Sequence, residues 1–426
     1  MMRVLKNINI MEIDYVSTKE LFELLNDPAH VVLDFRPTAA FNGWKLKDEA
    51  RGGHLPGANS FPSEWIHQLE SHQLTAILQS KNLTSQNTII LYGYEDDEFI
   101  ALANFLVKAG IQKIKIYEAG FQEWANHSNL PIETLANYQQ LVYPEWIKKL
   151  QSGENPEHRP CQDFGLYEIC WGGYENYRAG HIPGAIFLDL STIEDPETWN
   201  IVPDRELFDQ LSEWGISSNM MCVLYSRDVM AAARAALILM YSVVMDVRLL
   251  DGGFESWIHS GYEIETHVNP PHPKESFGKE KPAHPEYLLG INDVKSFLIE
   301  RKGLLVSVRS WEEYIGAARP YSYIQPVGRI AGALWGYSGS GPDQMQDFRN
   351  PDHSMRPSPE IETNWHKRGI TKEKKIIFYC ATGWRASEAF WYAYLMGWPN
   401  IAIYDGGWFE WSKDPSNPIE LGIPET

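Results

Sequence analysis

The sequence predicts an α/β fold of three tandem domains, each a mainly parallel sheet with helices on both faces, and three observations carry that prediction. One unit occurs three times: KKIIFYCATGWRASEAFWYAYLMGWPNIAIYDGGWFEW in the last third, MMCVLYSRDVMAAARAALILMYSVVMDVRLLDGGFESW in the middle and NTIILYGYEDDEFIALANFLVKAGIQKIKIYEAGFQEW in the first. The register is constant, with 25 positions from Cys380 to Asp405, Ser226 to Asp251 and Gly93 to Glu118, and 31 from the same three residues to Trp411, Trp257 and Trp124. Runs such as TIILY and IIFY are apolar at nearly every position, the pattern of strands buried on both faces.

The elements follow in the same order in each copy. VVLDFRP around Asp34, CQDFGLYEI and LLVSVRS around Ser307 open the three copies as strands. A related turn comes next: GGHLPGA ending at Ala58, AGHIPGA ending at Ala185 and GRIAGA ending at Ala333. Then a β-branched and aromatic run, a break, a helical run and a second short strand lead to an acidic residue, a small residue, Gly and the closing Trp. A strand, a helix of about three turns and another strand imply right-handed βαβ crossovers. The copies divide the chain into domains at 1–135, 136–270 and 285–426. The polar, Pro-rich stretch VNPPHPKESFGKEKPAH at 268–284 supplies a linker, set at 271–284.

Composition narrows the partners. The 426 residues carry a net charge of -19, which disfavours nucleic acid and anionic membrane surfaces. No apolar run is long enough to cross a bilayer. The start MMRVLKNINIMEIDYVS meets Asn7, Asn9, Glu12 and Asp14 too early for a signal peptide. Four cysteines without a CxxC pair predict neither zinc nor a disulfide scaffold and suit a reducing cytoplasm. The 13 histidines form no HExxH, so neither metal nor cofactor is expected. An acidic chain that handles an anion must place positive charge locally.

These residues together resemble the rhodanese family of sulfurtransferases: an Asp-x-Arg-type strand end, a GHIPGA turn, a strand leading into a cysteine loop and helix, and a closing DGGxxxW. The resemblance spans almost the whole chain and implies three rhodanese-like domains. It implies Cys380 as the catalytic residue, Cys380, Ala381, Thr382, Gly383, Trp384 and Arg385 as the active-site loop, and Arg309 as a substrate-binding residue. Ser307 stands where the family usually has Asp, and Ala331 replaces the usual Pro of the turn. Gly93 and Ser226 occupy the cysteine position in the other copies, which are expected to be inactive.

The chemistry suits these residue types. Sulfane sulfur transfer needs a nucleophile that is also a good leaving group, and a helix N-terminus and a neighbouring Arg favour the thiolate at Cys380. A loop curling from strand to helix points backbone N–H groups at an anion, and Gly383 permits the positive φ of such a curl. Thr382 adds a hydroxyl, Arg385 a fixed charge and Arg309 a second anion contact, with Arg329 a further candidate. The expected activity moves sulfur from a small anionic donor, thiosulfate or 3-mercaptopyruvate, through a Cys380 persulfide to cyanide, a thiol or a sulfur-accepting protein. Ser226 cannot carry sulfur in this way, Gly93 has no side chain, and Glu95, Asp96, Asp97 and Glu98 would repel an anion in the first copy.

Other readings stay open at this level. A cysteine phosphatase would use a similar loop but with Cys-x5-Arg, whereas Cys380 and Arg385 give Cys-x4-Arg. Two copies without a nucleophile also fit a non-enzymatic interaction platform. Cys161, Cys170 and Cys222 read as structural, as do His54 and His181 in their repeated turns and Tyr92, Tyr225 and Tyr379 at one repeated position. Trp384 is either a wall of the pocket or an anchor of the loop. GYSGSGPD is a loop without the Gly-Lys-Ser/Thr of a phosphate site, and the longer stretch 335–361 is placed to flank the entrance to Cys380 as a lid.

Overall fold

The computed structural model describes residues 14–94, 96–160 and 163–424. The expectations for the N-terminal stretch, for Glu95 and the side chains of Asp96 and Asp97, and for Cys161 lie outside the described residues. The chain forms two compact bodies, Met1–Gln139 and Gln140–Thr426.

The first body is built on a five-stranded sheet in the order Asp14–Tyr15, Ile114–Ile116, Thr88–Tyr92, His30–Asp34 and Asn59–Ser60, with every neighbouring pair parallel. Side chains alternate across it. Ile89 and Leu91 join a core with Leu74, Leu102 and Leu106 on one face, while Val32, Ile90 and Tyr92 join Leu21, Phe121 and Trp124 on the other. Helices therefore cover both faces, which is why the central strand Thr88–Tyr92 is apolar at nearly every position.

The second body holds two more sheets of the same order. One runs Leu141–Val142, Asp246–Leu250, Met221–Tyr225, Phe164–Cys170 and Ile186–Asp189; the other runs Leu288–Leu289, Ile401–Tyr404, Lys375–Tyr379, Gly303–Ser307 and Leu334–Trp335. Both are parallel throughout. Helices Val229–Ser242 and Trp384–Leu395 follow the central strands and pack against each other, which makes one body of two sequence repeats. The Pro-rich stretch taken as a linker is tied down: Lys274 N–H donates to Ser212 O at 2.9 Å, and Phe277 is buried and stacked on Phe208 with ring centroids 4.8 Å apart.

The repeated residues have repeated structural tasks. The closing tryptophans Trp124, Trp257 and Trp411 donate their indole N–H to the carbonyls of Pro131, Glu263 and Pro418. The hydroxyls of Tyr92, Tyr225 and Tyr379 accept the backbone N–H of Leu55, Ile182 and Ile330, pinning the repeated turn to the central strand. His54 stacks on Phe41 and His181 on Tyr177, and Arg329 takes the same place over Tyr314.

Candidate active site

Cys380 follows Lys375–Tyr379, the central strand of its sheet, and four residues later Trp384 opens a helix. Gly383, between them, has φ 91°, a conformation that favours glycine. The loop is held from behind: Cys380 O accepts the Trp408 N–H at 2.8 Å and Ala381 O accepts the Phe409 N–H at 3.0 Å. A trans peptide sets C=O and N–H on opposite sides, so the N–H groups of Ala381 and Thr382 point away from helix Gly407–Lys413. That approach requires the last Gly of DGG, because a Cβ on Gly407 would lie 2.7 Å from both loop carbonyls. Gly253 bears the same relation to Ser226 O.

Cys380 is 1% exposed, yet it lines a cavity of about 250 Å³ together with Ala381, Thr382, Trp384 and Arg385. Tyr321, Tyr323, Pro342 and Asp343 add to the wall, and the second repeat contributes Trp171, Trp199, Asp228 and Met230. The rings form a continuous lining: Trp171 stacks on Trp199 at 4.8 Å, Trp199 on Tyr323 at 5.9 Å, and Trp384 meets Trp171 edge-on at 5.7 Å. Pro342 and Asp343 belong to GYSGSGPD, so part of the expected lid does reach the cavity. Trp384 is both wall and anchor, since its Nε1–H donates to Glu194 Oε2 at 3.2 Å.

The two expected arginines are placed differently from each other. Arg385 lines the cavity but is buried in a fork-to-fork pair with Glu313, donating at 2.8 and 3.0 Å, with Tyr321 Oη a further acceptor at 3.3 Å. Burial alone would raise the Glu313 carboxyl, but the Arg385 guanidinium outweighs it and holds the group down to about 2. The charge expected to be offered to an anion is thus neutralised within the protein. Arg309 does not line the Cys380 cavity. It donates to Gly328 O at 2.6 Å and Ser307 Oγ at 3.2 Å, lies over the rings of Tyr379 and Trp408, and borders a separate void of about 10 Å³. The second anion contact expected there is therefore displaced by packing. Arg329 is tied to Glu420 and Gly422 O.

Cys170 and Cys222, the other described cysteines, are packed thiols. Burial pushes Cys170 up to about 12, and it pushes fully buried Cys222 up as well. Sequence reasoning missed Trp171, Trp199, Asp228 and Glu313. The only signal for the first two was a pair of tryptophans in a repeat that has no nucleophile of its own.

Three stretches, residues 17–127, 172–260 and 291–414, match the rhodanese-like domain. The thiosulfate sulfurtransferase YnjE of Escherichia coli (strain K12) is 40% identical over 391 residues, covering 92% of this chain and 88% of that protein. The anaerobic ergothioneine biosynthesis enzyme from Chlorobium limicola, in complex with its natural substrate trimethyl histidine, superposes with a TM-score of 0.93 at 37% identity, covering 97% of this chain and 100% of that one. A cysteine-persulfide form of EanB, in a tetrahedral intermediate state with ergothioneine, gives a TM-score of 0.93 at 37% identity and covers 96% of this chain and 100% of that one. Three matched stretches, three sheets of one strand order and a cysteine loop at the end of a central strand make this chain a member of the rhodanese family.

Proposed function

We infer that the chain is a sulfurtransferase that carries sulfane sulfur on Cys380. The thiolate attacks the outer sulfur of thiosulfate, the S–S bond breaks, sulfite leaves with the bonding electrons and Cys380 retains the sulfur as a persulfide. An acceptor then attacks that sulfur and the thiolate returns, cyanide leaving as thiocyanate. The carrying observation is Cys380 at a strand end, before a helix N-terminus, lining a cavity of about 250 Å³. Thiosulfate is favoured over 3-mercaptopyruvate because Arg309, the group a carboxylate would need, is committed to Gly328 and Ser307. A phosphatase is disfavoured because Cys380 and Arg385 are spaced as Cys-x4-Arg, one residue short of the Cys-x5-Arg loop a phosphatase uses. Mass spectrometry after thiosulfate treatment tests the proposal: one sulfur on Cys380 is expected, and none would overturn it. In this reading 285–426 is the catalytic domain, 1–135 and 136–270 serve as scaffold or recognition domains, 271–284 joins them, and the thiolate works in a reducing cytoplasm.

A more specific acceptor is favoured by the cavity wall. Trp171, Trp199, Tyr323 and Trp384 present aromatic surface beside Asp228 and Asp343, while Arg385 is neutralised by Glu313. Such a site suits a cation, above all a quaternary ammonium, better than a second anion. Trimethyl histidine, the substrate of the Chlorobium limicola enzyme, fits that description and is the acceptor we assign. It should bind more tightly than histidine, as titration of tryptophan fluorescence would show; equal affinities would remove this assignment and leave the persulfide chemistry standing.

A further inference from the structure

Where the second and third repeats meet, each carries an internal ion pair, and the charges of the two pairs are exchanged. Arg234 and Glu388 occupy the same register, each eight residues after Ser226 or Cys380. Arg234 Nε donates to Glu194 Oε1 at 2.6 Å, whereas Glu388 accepts from Arg349 Nε at 2.6 Å. Glu194 and Arg349 both start an isolated antiparallel bridge, to Ile201 and Met355. The N–H groups of these bridge partners donate across the interface, Ile201 to Asp405 at 2.9 Å and Met355 to Asp251 at 2.8 Å.

The two halves differ where they meet a loop. Glu194 Oε2 accepts the Nε1–H of Trp384. The residue equivalent to Trp384 in the second repeat is Met230, which has no such donor. Arg234 is fully buried, anchors Glu194, reaches Asp405 at 2.6 Å, and lies 3.0 Å from where a Cβ on Gly383 would stand. Two side chains of the repeat without a nucleophile are thus built against the loop that holds Cys380.

We propose that Glu194 is a positioning residue of the Cys380 site, holding the Trp384 indole as a wall of the cavity by accepting its N–H while Arg234 clamps its other oxygen. This rests on the reading of that cavity as the acceptor site. Gln at 194 sets a donating NH2 in place of one of the two oxygens, so either the Trp384 indole N–H or the Arg234 Nε–H loses its acceptor there. Glu194→Gln should raise the KM for trimethyl histidine about tenfold, the scale of one lost charged hydrogen bond, while persulfide loading of Cys380 from thiosulfate stays within about twofold. Trp384→Phe keeps a ring and removes the N–H; in that background Glu194→Gln should leave KM unchanged, and additive effects would overturn the proposal. A readout without substrate separates this idea from the acceptor reading. The Trp384 indole N–H resonance, assigned by its loss in Trp384→Phe, should shift and exchange with solvent at least about tenfold faster in Glu194→Gln. An unmoved, equally protected resonance would sink the positioning role even if trimethyl histidine is a substrate. A shifted resonance in a protein that does not take trimethyl histidine would fault only the acceptor.

Discussion

The position of Cys380 has counterparts in the other two repeats, and the three sites differ more in packing than in fold. At Cys380 the loop opens onto a cavity. At Ser226 the hydroxyl is buried and donates to the carbonyl of Asp228, while neighbouring Arg227 pairs with Glu168 at 3.0 Å. At Gly93 the space is filled, since a Cβ there would lie 2.0 Å from the ring of Phe35. A shared backbone therefore carries one open site, one internally bonded site and one plugged site. The second repeat has no thiol of its own at this position, yet it supplies part of the wall of its neighbour's cavity.

The largest effect should come from the nucleophile. Cys380→Ser is expected to lower thiocyanate production from thiosulfate and cyanide by on the order of 10³-fold or more. The reciprocal Ser226→Cys should add no second sulfur by mass spectrometry; a second persulfide would break the contrast between the two loops.

Next in size is the pair behind the loop. Glu313→Gln leaves the buried Arg385 without its counter-charge and should cost about 3–5 kcal/mol in a denaturation experiment. A cost below ~1 kcal/mol would mean that the cavity itself solvates the guanidinium. Gly407→Ala should follow at about 2–3 kcal/mol with lost activity, because φ 53° is strained for alanine and the Cβ meets both loop carbonyls. Gly57→Ala, at φ 71° with nothing within 4 Å, isolates the strain and should cost about 1 kcal/mol.

The last effect is in pH dependence. Burial pushes Asp251, at the contact between the second and third repeats, up to about 7 from an ordinary value of 3.8. The folded chain then keeps a proton that the unfolded chain has released, so the stability from this group falls as pH rises from about 4 to 7. Glu313 has the opposite sign: its contribution is present above about 4.5 and is lost as pH falls towards 2. Thermal unfolding should therefore show a neutral limb that Asp251→Asn flattens and an acid limb that Glu313→Gln removes.

Much of this was legible in the chain. Fixed spacing gave the repeats, the apolar runs gave sheets covered on both faces, and a cysteine in one copy alone marked the loop. The roles of the charged residues were not legible. Arg309 and Arg385 both stood near Cys380 by resemblance, yet one packs under Gly328 O and the other is spent on Glu313.

What the sequence by itself determined is local and periodic: three copies of one βαβ unit, the turn each Tyr pins, the glycine at each tight approach and the single thiol. These depend on residues a few positions apart or on one repeated register, which spacing records directly. The tertiary structure alone decided what faces Cys380. Glu194 meets Trp384 across 190 positions and Arg234 meets Asp405 across 171, and a periodic pattern tells which face a side chain occupies but not which partner lies within hydrogen-bond reach of it.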